Sequence, residues 1–560
     1  MRKIPLNNVA SGGVAMGKAF LVQGVDLSPD EGDITPDEVE EQIDAFVCAR
    51  DASLAQIGIL AEKSDIFRAH LDLARSSSLY NGVVDKIKVK HKNAQQALKE
   101  MEGSLAARFE LLEDAYMRER AADIRDICGR IMANLKGISL NIFENISEES
   151  IIIAQDLTPS DTTAMDFTKV KGFITQLGGI TGHTCIIARS LGMPAAVGQS
   201  NILDVVAHDE YIIFDGEAGE IIIEPCENTI DRYRKQITEQ NKQKLALKAS
   251  ADLPATTIDG RNIEIFANVG SIADAKAAKE NGAGGIGLFR TEFLYMQGTD
   301  FPTEDEQFEV YKQCAEIFGD APIIIRTLDI GGDKDLPYFN FPDEENPFLG
   351  WRAIRMCLDK KDVFKTQLLA LLRASAFGNI HIMYPMIVSV EEYRQANALL
   401  EECKVILDSR NTPYNTNIPT GIMIETPAGV MLACDFAREA DFFSIGTNDL
   451  TQYILAVDRG NDKISGMYDS FHPAVLRAIK QVIDAGAAQG KHVGMCGEFA
   501  ADKKAMELLL GMGLLEFSVS AVDIPAIKNN MRAASYKKAA EYADEVLAKS
   551  TVTEVKQILR

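Results

Sequence analysis

The 560-residue chain has seven histidines, and His183 has an unusual setting. Residues 177–198 read LGGITGHTCIIARSLGMPAAVG, with Gly178, Gly179 and Gly182 just ahead of the imidazole. The residues after it read as the start of a helix. A helix N-terminus carries partial positive charge and free N–H groups that attract phosphoryl oxygens. The same field disfavours imidazolium, leaving the neutral ring as a nucleophile. Glycines let a bulky anion approach the backbone. An isolated histidine more commonly satisfies a turn, but the surrounding glycines favour a phosphohistidine loop.

A second group of reactive types lies further along. Arg290 ends GIGLFR, Arg326 ends IIIR, Glu425 ends GIMIE, Asn448 and Asp449 end FSIGTND, and Cys496 ends HVGMC. Arg459 follows the sixth of these runs. Arginine forks suit phosphate and carboxylate oxygens. Glu425 and Asp449 on neighbouring loops suit one Mg²⁺, a hard cation completed by water and substrate oxygens. Either carboxylate alone would read as an ion-pair partner, and each arginine alone as a cap or surface salt bridge. Cys496 alone reads as a small buried hydrophobe. At a strand end it can instead give or take a proton. Together these groups describe a site for a small, highly anionic molecule with a metal.

The elements that must position them follow from texture. After Leu253, eight apolar runs alternate with helical stretches: IEIFANVG, GIGLFRTEF, PIIIRTLDIGG, NIHIMYPMI, TGIMIETPAG, DFFSIGTNDL, HVGMCGEFA and EFSVSA. Such alternation implies a parallel sheet. Eight runs favour a closed (β/α)8 barrel over an open sheet, with the active site at the C-terminal ends of the strands. Ahead of it, VASGGVAMGKAFLV, SIIIAQDLTP and KGFITQL read as strands. YIIFDGEAGEIIIEP reads as a hairpin turning at Asp215-Gly216. Thr35, Pro36 and Glu38 in TPDEVEEQ mark a helix start with a capping box, and a polar helical block follows to about Leu140.

The reading is therefore a multidomain α/β chain. Residues 1–34 and 141–228 form an α/β domain bearing His183, and residues 35–140 are an inserted helical domain. Residues 229–252 are a polar linker helix, and residues 253–560 are the barrel. A net charge of −24 excludes a nucleic-acid footprint and suits a basic protein partner. No apolar run reaches transmembrane length, and the N-terminus lacks a signal-peptide core. Nine scattered cysteines without a CxxC pair fit the cytoplasm, with neither a disulfide framework nor a zinc site.

The motifs ASGGVAMGKA, DAYMRERAADIRDI, DLTPSDT, GGITGHTCIIARSLGMPAAVG, GIGLFRTEFLYM, RTLDIGGDK, NPFLGWRAIR, IMIETPAG, SIGTNDLTQY, DRGN and GMCGEFA occur in this order along nearly the whole chain. In them the chain resembles enzyme I, the phosphoenolpyruvate–protein phosphotransferase family of the bacterial sugar phosphotransferase system. The resemblance implies that His183 takes a phosphoryl group from phosphoenolpyruvate. It implies that Arg290, Arg326, Arg459 and Asn448 hold that substrate, with Lys334 and Arg352 lining the site. Glu425 and Asp449 hold Mg²⁺, and Cys496 protonates the departing enolate to give pyruvate. Thr162, in PSDT, is placed to hydrogen-bond the histidine. The phosphoryl group then passes to the carrier protein HPr docked on the helical domain, while the barrel forms a homodimer. Because the histidine and the anion site lie in different domains, the α/β domain must swivel.

Two departures from the family stand out. Gly182 precedes the histidine where serine is usual. In FRAHLDLARSSSLYNG, Arg68 and Arg75 replace expected acidic or neutral residues on the carrier-binding helices, and Ser76–Ser78 replace the acidic cluster. A regulatory paralogue serving a different carrier is therefore an alternative. Pyruvate phosphate dikinase and phosphoenolpyruvate synthase share the phosphohistidine domain and barrel, but they need a nucleotide-binding domain for which no length remains. A non-enzymatic regulatory protein on a decayed scaffold would not be expected to keep every one of these site residues.

Overall fold

The computed structural model describes residues 1–560 except 23–26, 31, 33, 62–70, 72–73, 76, 111–114, 139–142, 144–145, 147, 158–160, 162–164, 179–183, 186–187, 189–191, 297–299, 332–335, 337, 340, 462 and 560. It divides into two compact units, Met1–Lys242 and Gln243–Arg560.

The first unit is built on a mixed sheet of eight strands. These are β1 (Arg2–Pro5), β2 (Asn8–Ser11), β3 (Val14–Leu21), β4 (Ser150–Ala154), β5 (Val170–Thr175), β6 (Ala195–Val197), β7 (Tyr211–Asp215) and β8 (Glu220–Ile223). Their spatial order is β1-β8-β7-β3-β4-β5-β6-β2. The central strands β3 to β6 run parallel. Parallel strands are covered on both faces, which is why SIIIA in β4 is buried at every residue. Ile151 and Ile153 join one apolar cluster, and Ile152 and Ala154 the other. The β7–β8 hairpin closes between Asp215 and Glu220. Asp215 Oδ1 accepts the N–H groups of Glu217 (3.1 Å) and Ala218 (2.9 Å), which fixes the turn.

The helical block leaves the sheet after β3 and returns at β4, although those two strands are hydrogen-bonded neighbours. It holds helices Val39–Ala61, Ser77–Lys90, Ala94–Glu110 and Ala115–Lys136. Phe46, Ile57, Val83, Ile87, Leu98, Ile127 and Ile131 form a core of their own. The expected start is present: Glu38 accepts the Thr35 N–H at 2.7 Å.

The polar segment read as a linker is a helix, Glu227–Ala249. Its first half is not a free spacer. Ile230, Tyr233 and Ile237 pack against Met16, Ile213 and Ile222 of the sheet, and Tyr233 donates to Asp215 Oδ2 at 2.7 Å.

In the second unit, β9 (Ala255–Thr256) pairs antiparallel with the first barrel strand. The eight expected barrel strands are all present: β10 (Asn262–Val269), β11 (Ile286–Arg290), β12 (Ile323–Arg326), β13 (Ile380–Tyr384), β14 (Thr420–Ile424), β15 (Phe442–Ile445), β16 (His492–Met495) and β17 (Glu516–Ser520). They pair in parallel in chain order, and β10 closes the ring by pairing with both β11 and β17. Leu288, Ile324, Met383, Met423, Phe442 and Cys496 form a small cluster separate from the large outer core. With one side chain from each of six strand regions, this is an inward-facing layer of the barrel. Strand side chains alternate with period two, so Arg290, Arg326 and Glu425 stand one layer above Leu288, Ile324 and Met423.

Candidate active site at the C-terminal end of the barrel

Four arginines and four carboxylates gather where the barrel strands end. Arg290 and Arg326 are cross-strand partners at the last positions of β11 and β12. Arg326 is buried; Glu292 holds its Nη2 and Asp329 Oδ2 lies 3.1 Å from its Nη1. The other Asp329 oxygen accepts from Arg352 Nη2 at 2.9 Å. Arg352 Nη2 also lies 3.3 Å from Asp449 Oδ2, and Asp449 Oδ1 lies 3.2 Å from Arg459 Nη1. Charges thus alternate from Glu292 through Arg326, Asp329, Arg352 and Asp449 to Arg459. Arg290 makes no ion pair with any described residue and is half-buried.

Burial alone would lower the pKa of a guanidinium. The carboxylates outweigh it, so Arg326 and Arg352 are held charged more firmly than in water. Glu425 shows the opposite balance. It is buried, and burial together with Asp449 and Asp329 raises its pKa, against the pull of Arg326 and Arg352. Its Oε1 accepts the Met386 N–H at 2.7 Å. Gly446 keeps room for it, since a Cβ there would lie 2.9 Å from Glu425 Oε2. Gly331, at φ +99°, does the same for Arg352, whose Cβ would lie 2.8 Å from an added methyl.

The remaining polar groups complete the rim. Asn448 and Asp449 lie in the first turn of helix Thr447–Leu455, which follows β15 directly. Asn448 Oδ1 accepts the Glu498 N–H at 3.4 Å, and its carbonyl accepts from the Tyr468 hydroxyl at 3.1 Å. Tyr453 accepts from Arg352 Nη1 at 3.3 Å and donates to the Phe348 carbonyl. Burial pushes the Tyr453 phenol up to about 12, so it stays neutral. Cys496 is buried just past β16, and burial pushes its thiol up to about 11. A thiol protonated at neutral pH is a proton donor, not a thiolate nucleophile.

The donor set fits a hard divalent cation. Glu425 and Asp449 supply oxygens only, and Asp449 Oδ1 is buried with no hydrogen bond despite its charge contact with Arg459. Elsewhere, Glu264, His492 and Glu516 bring ligand-type atoms within 4.8 Å of one another. They lie towards the opposite end of the strands, where Glu516 Oε2 and His492 Nε2 pair at 2.6 Å.

The structure thus brings together Arg290, Arg326, Arg352, Glu425, Asn448, Asp449, Arg459 and Cys496. Lys334, Thr162, Gly182 and His183 lie outside the described residues. Around the last of these, Gly178 adopts φ +99°, Thr184 Oγ1 donates to the Leu157 carbonyl at 3.0 Å, and Cys185 and Ala188 are buried in the α/β core. Glu292, Asp329 and Tyr453 were not singled out from the sequence. Asp329 carried a signal in RTLDIGG, as an acid three residues past a strand-end arginine and followed by two glycines.

A parallel barrel with such a rim belongs to a known class. Residues 244–536 match the PEP-utilising enzyme, PEP-binding domain family, residues 146–219 its mobile domain, and residues 8–120 its N-terminal domain. Over 560 aligned residues the chain is 43% identical to the phosphoenolpyruvate-protein phosphotransferase of Haemophilus influenzae, covering 98% of this chain and 97% of that one. It is 43% identical to that of Priestia megaterium (98% and 97% covered) and 44% identical to that of a Buchnera aphidicola strain (98% and 98%). The chain belongs to the phosphoenolpyruvate-protein phosphotransferase family of enzymes. The solution NMR structure of Enzyme I (nEIt) is 37% identical over 42% of this chain and all of its own, with a TM-score of 0.38.

Proposed function

We propose that this chain moves the phosphoryl group of phosphoenolpyruvate to His183 and then to a histidine of an HPr-like phosphocarrier protein, releasing pyruvate. This is the first step of a sugar phosphotransferase system in the cytoplasm. Residues 253–560 hold the substrate and form a homodimer, residues 1–34 and 141–228 carry His183, and residues 35–140 dock the carrier. Residues 229–252 join the two halves. Among the described residues no helix is long and apolar enough to cross a membrane.

A neutral His183 nitrogen attacks phosphorus while the bond from phosphorus to the enol oxygen breaks. Arg290, Arg326, Arg352 and Arg459 hold the phosphate and carboxylate oxygens, with Asn448 and Lys334 beside them, and spread the charge of the moving group. Mg²⁺, held by Glu425 and Asp449, supplies further neutralisation of that charge when bound. Cys496 delivers its proton to the methylene carbon of the enolate, and water restores the thiol. Thr162 orients the imidazole.

The observation that carries this reading is the alternating row of arginines and carboxylates on the barrel rim, beside which Arg290 stands with no ion pair among the described residues. Incubation with radiolabelled phosphoenolpyruvate and Mg²⁺ tests it. Acid-labile label is expected on the wild type and none on His183→Ala. Label on another histidine of that variant would refute the assignment. Arg75 is exposed, in keeping with a carrier surface that departs from the usual acidic one.

A further inference from the structure

One residue of the rim serves two sets of partners. Asp449 is a proposed metal ligand, yet its two oxygens face two different arginines, Oδ2 at 3.3 Å from Arg352 and Oδ1 at 3.2 Å from Arg459. The other arginines do not depend on it. Arg326 is held by Glu292 and Asp329, and Arg290 has no carboxylate among the described residues. For Arg459, Asp449 is the only carboxylate partner among the described residues, and Arg352 shares it with Asp329. Both guanidinium groups lie 5.9 Å from the ring of Phe348, so they flank one side of the rim together. Asp449 itself is buried, and a buried carboxylate left without a cationic partner is strongly disfavoured.

Resting on the substrate and metal reading above, we infer that Asp449 is a charge latch. Without metal its carboxylate occupies Arg352 and Arg459 in place of the anionic substrate. With a divalent cation at Glu425 and Asp449, it gives up both arginines to the substrate. Metal and substrate therefore bind with positive coupling beyond that of substrate oxygens completing the metal's shell, and this further part runs through Asp449. A residue that only ligated metal would leave Arg352 and Arg459 free for substrate in the metal's absence.

The test is calorimetric binding of phosphoenolpyruvate to full-length His183→Ala protein, in which binding is not followed by transfer. Each variant is titrated in Mg²⁺ and again in EDTA. The parent is expected to bind about tenfold or more tightly with Mg²⁺. Asp449→Asn is expected to bind about threefold to tenfold more tightly in EDTA than the parent does in EDTA, and to gain little from Mg²⁺. Glu425→Gln removes the other metal ligand but leaves the latch shut, so it should lose the Mg²⁺ effect without any gain in EDTA. Thermal unfolding confirms that each variant is folded. An Asp449→Asn affinity in EDTA equal to or weaker than the parent's overturns the latch and leaves the site reading standing. Absence of binding to the parent in Mg²⁺ overturns both.

Discussion

Asp329 accepts from Arg352 at 2.9 Å, and the two residues come from opposite ends of the long connection that follows β12. The same carboxylate also touches Arg326, so one acid sets the spacing of two proposed phosphate-binding forks. Both arginines are long side chains whose ordering entropy must be offset by buried partners.

Asp329→Asn keeps the shape of this bridge and removes its charge. Arg326 retains Glu292, and Arg352 retains Asp449. Partial loss of a buried pair should cost about 2–3 kcal/mol of barrel stability, read by chemical denaturation. Phosphoenolpyruvate affinity should fall on the order of tenfold, because two forks lose their alignment. Wild-type affinity in a destabilised variant would show Asp329 to be structural alone.

The Cys496 thiol, pushed up to about 11 by burial, remains protonated across the neutral range. Cys496→Ala should therefore slow exchange of the pyruvate methyl protons with solvent by about 100-fold or more. Binding of phosphoenolpyruvate should change by less than about twofold, since a neutral thiol adds little beside arginines. Exchange monitored by NMR in deuterated water separates the two effects. An unchanged exchange rate would reduce the cysteine to packing.

At the other end of the barrel interior, burial holds the pKa of His381 down at about 4. Asp441 works against that shift and His492 adds to it; Nε2 lies 3.0 Å from Asn379 Oδ1, and the ring packs against Phe442. The folded state prefers the neutral ring, so the unfolded chain binds the extra proton between pH 6.5 and 4. The contribution is fully present above pH 6.5 and is lost as pH falls through that window, up to about 3 kcal/mol in all. His381→Gln should flatten the stability difference between pH 7 and 4.5, measured by denaturant titration at each pH. An identical pH profile in both proteins would place the acid sensitivity elsewhere.

The barrel was legible because strands covered on both faces must be apolar throughout. A charge that ends such a run, as Arg326 ends IIIR, marks the rim. The pairing pattern was not legible. Asp329 stands three residues past Arg326, but nothing local says that it also meets Arg352, or that Glu292, at the start of a short helix after β11, will meet Arg326 of β12. The docked half of the linker helix was within reach. Ile230, Tyr233 and Ile237 recur at intervals of three and four, but the many charges between them read as a solvated spacer. His183 stands the other way: its glycine setting points to chemistry in the sequence, while the residue lies outside the described residues.

The helical block interrupts a sheet between strands that pair directly, Lys18 with Ser150 through Leu21 with Ile153. Those strands run parallel, so the chain leaves beyond Leu21 and re-enters at Ser150, opposite Lys18 and three residues back along the strand, a gap of roughly 10 Å. Closing a long excursion over so short a gap costs little more than closing a short one, because the entropy grows only with the logarithm of length. Among the described residues the block packs a core of its own, apart from the two apolar clusters of the sheet. Such a junction works as a socket: another helical cassette with neighbouring termini could be plugged in, and partner choice rewired, without disturbing a single ladder bond of the sheet beneath.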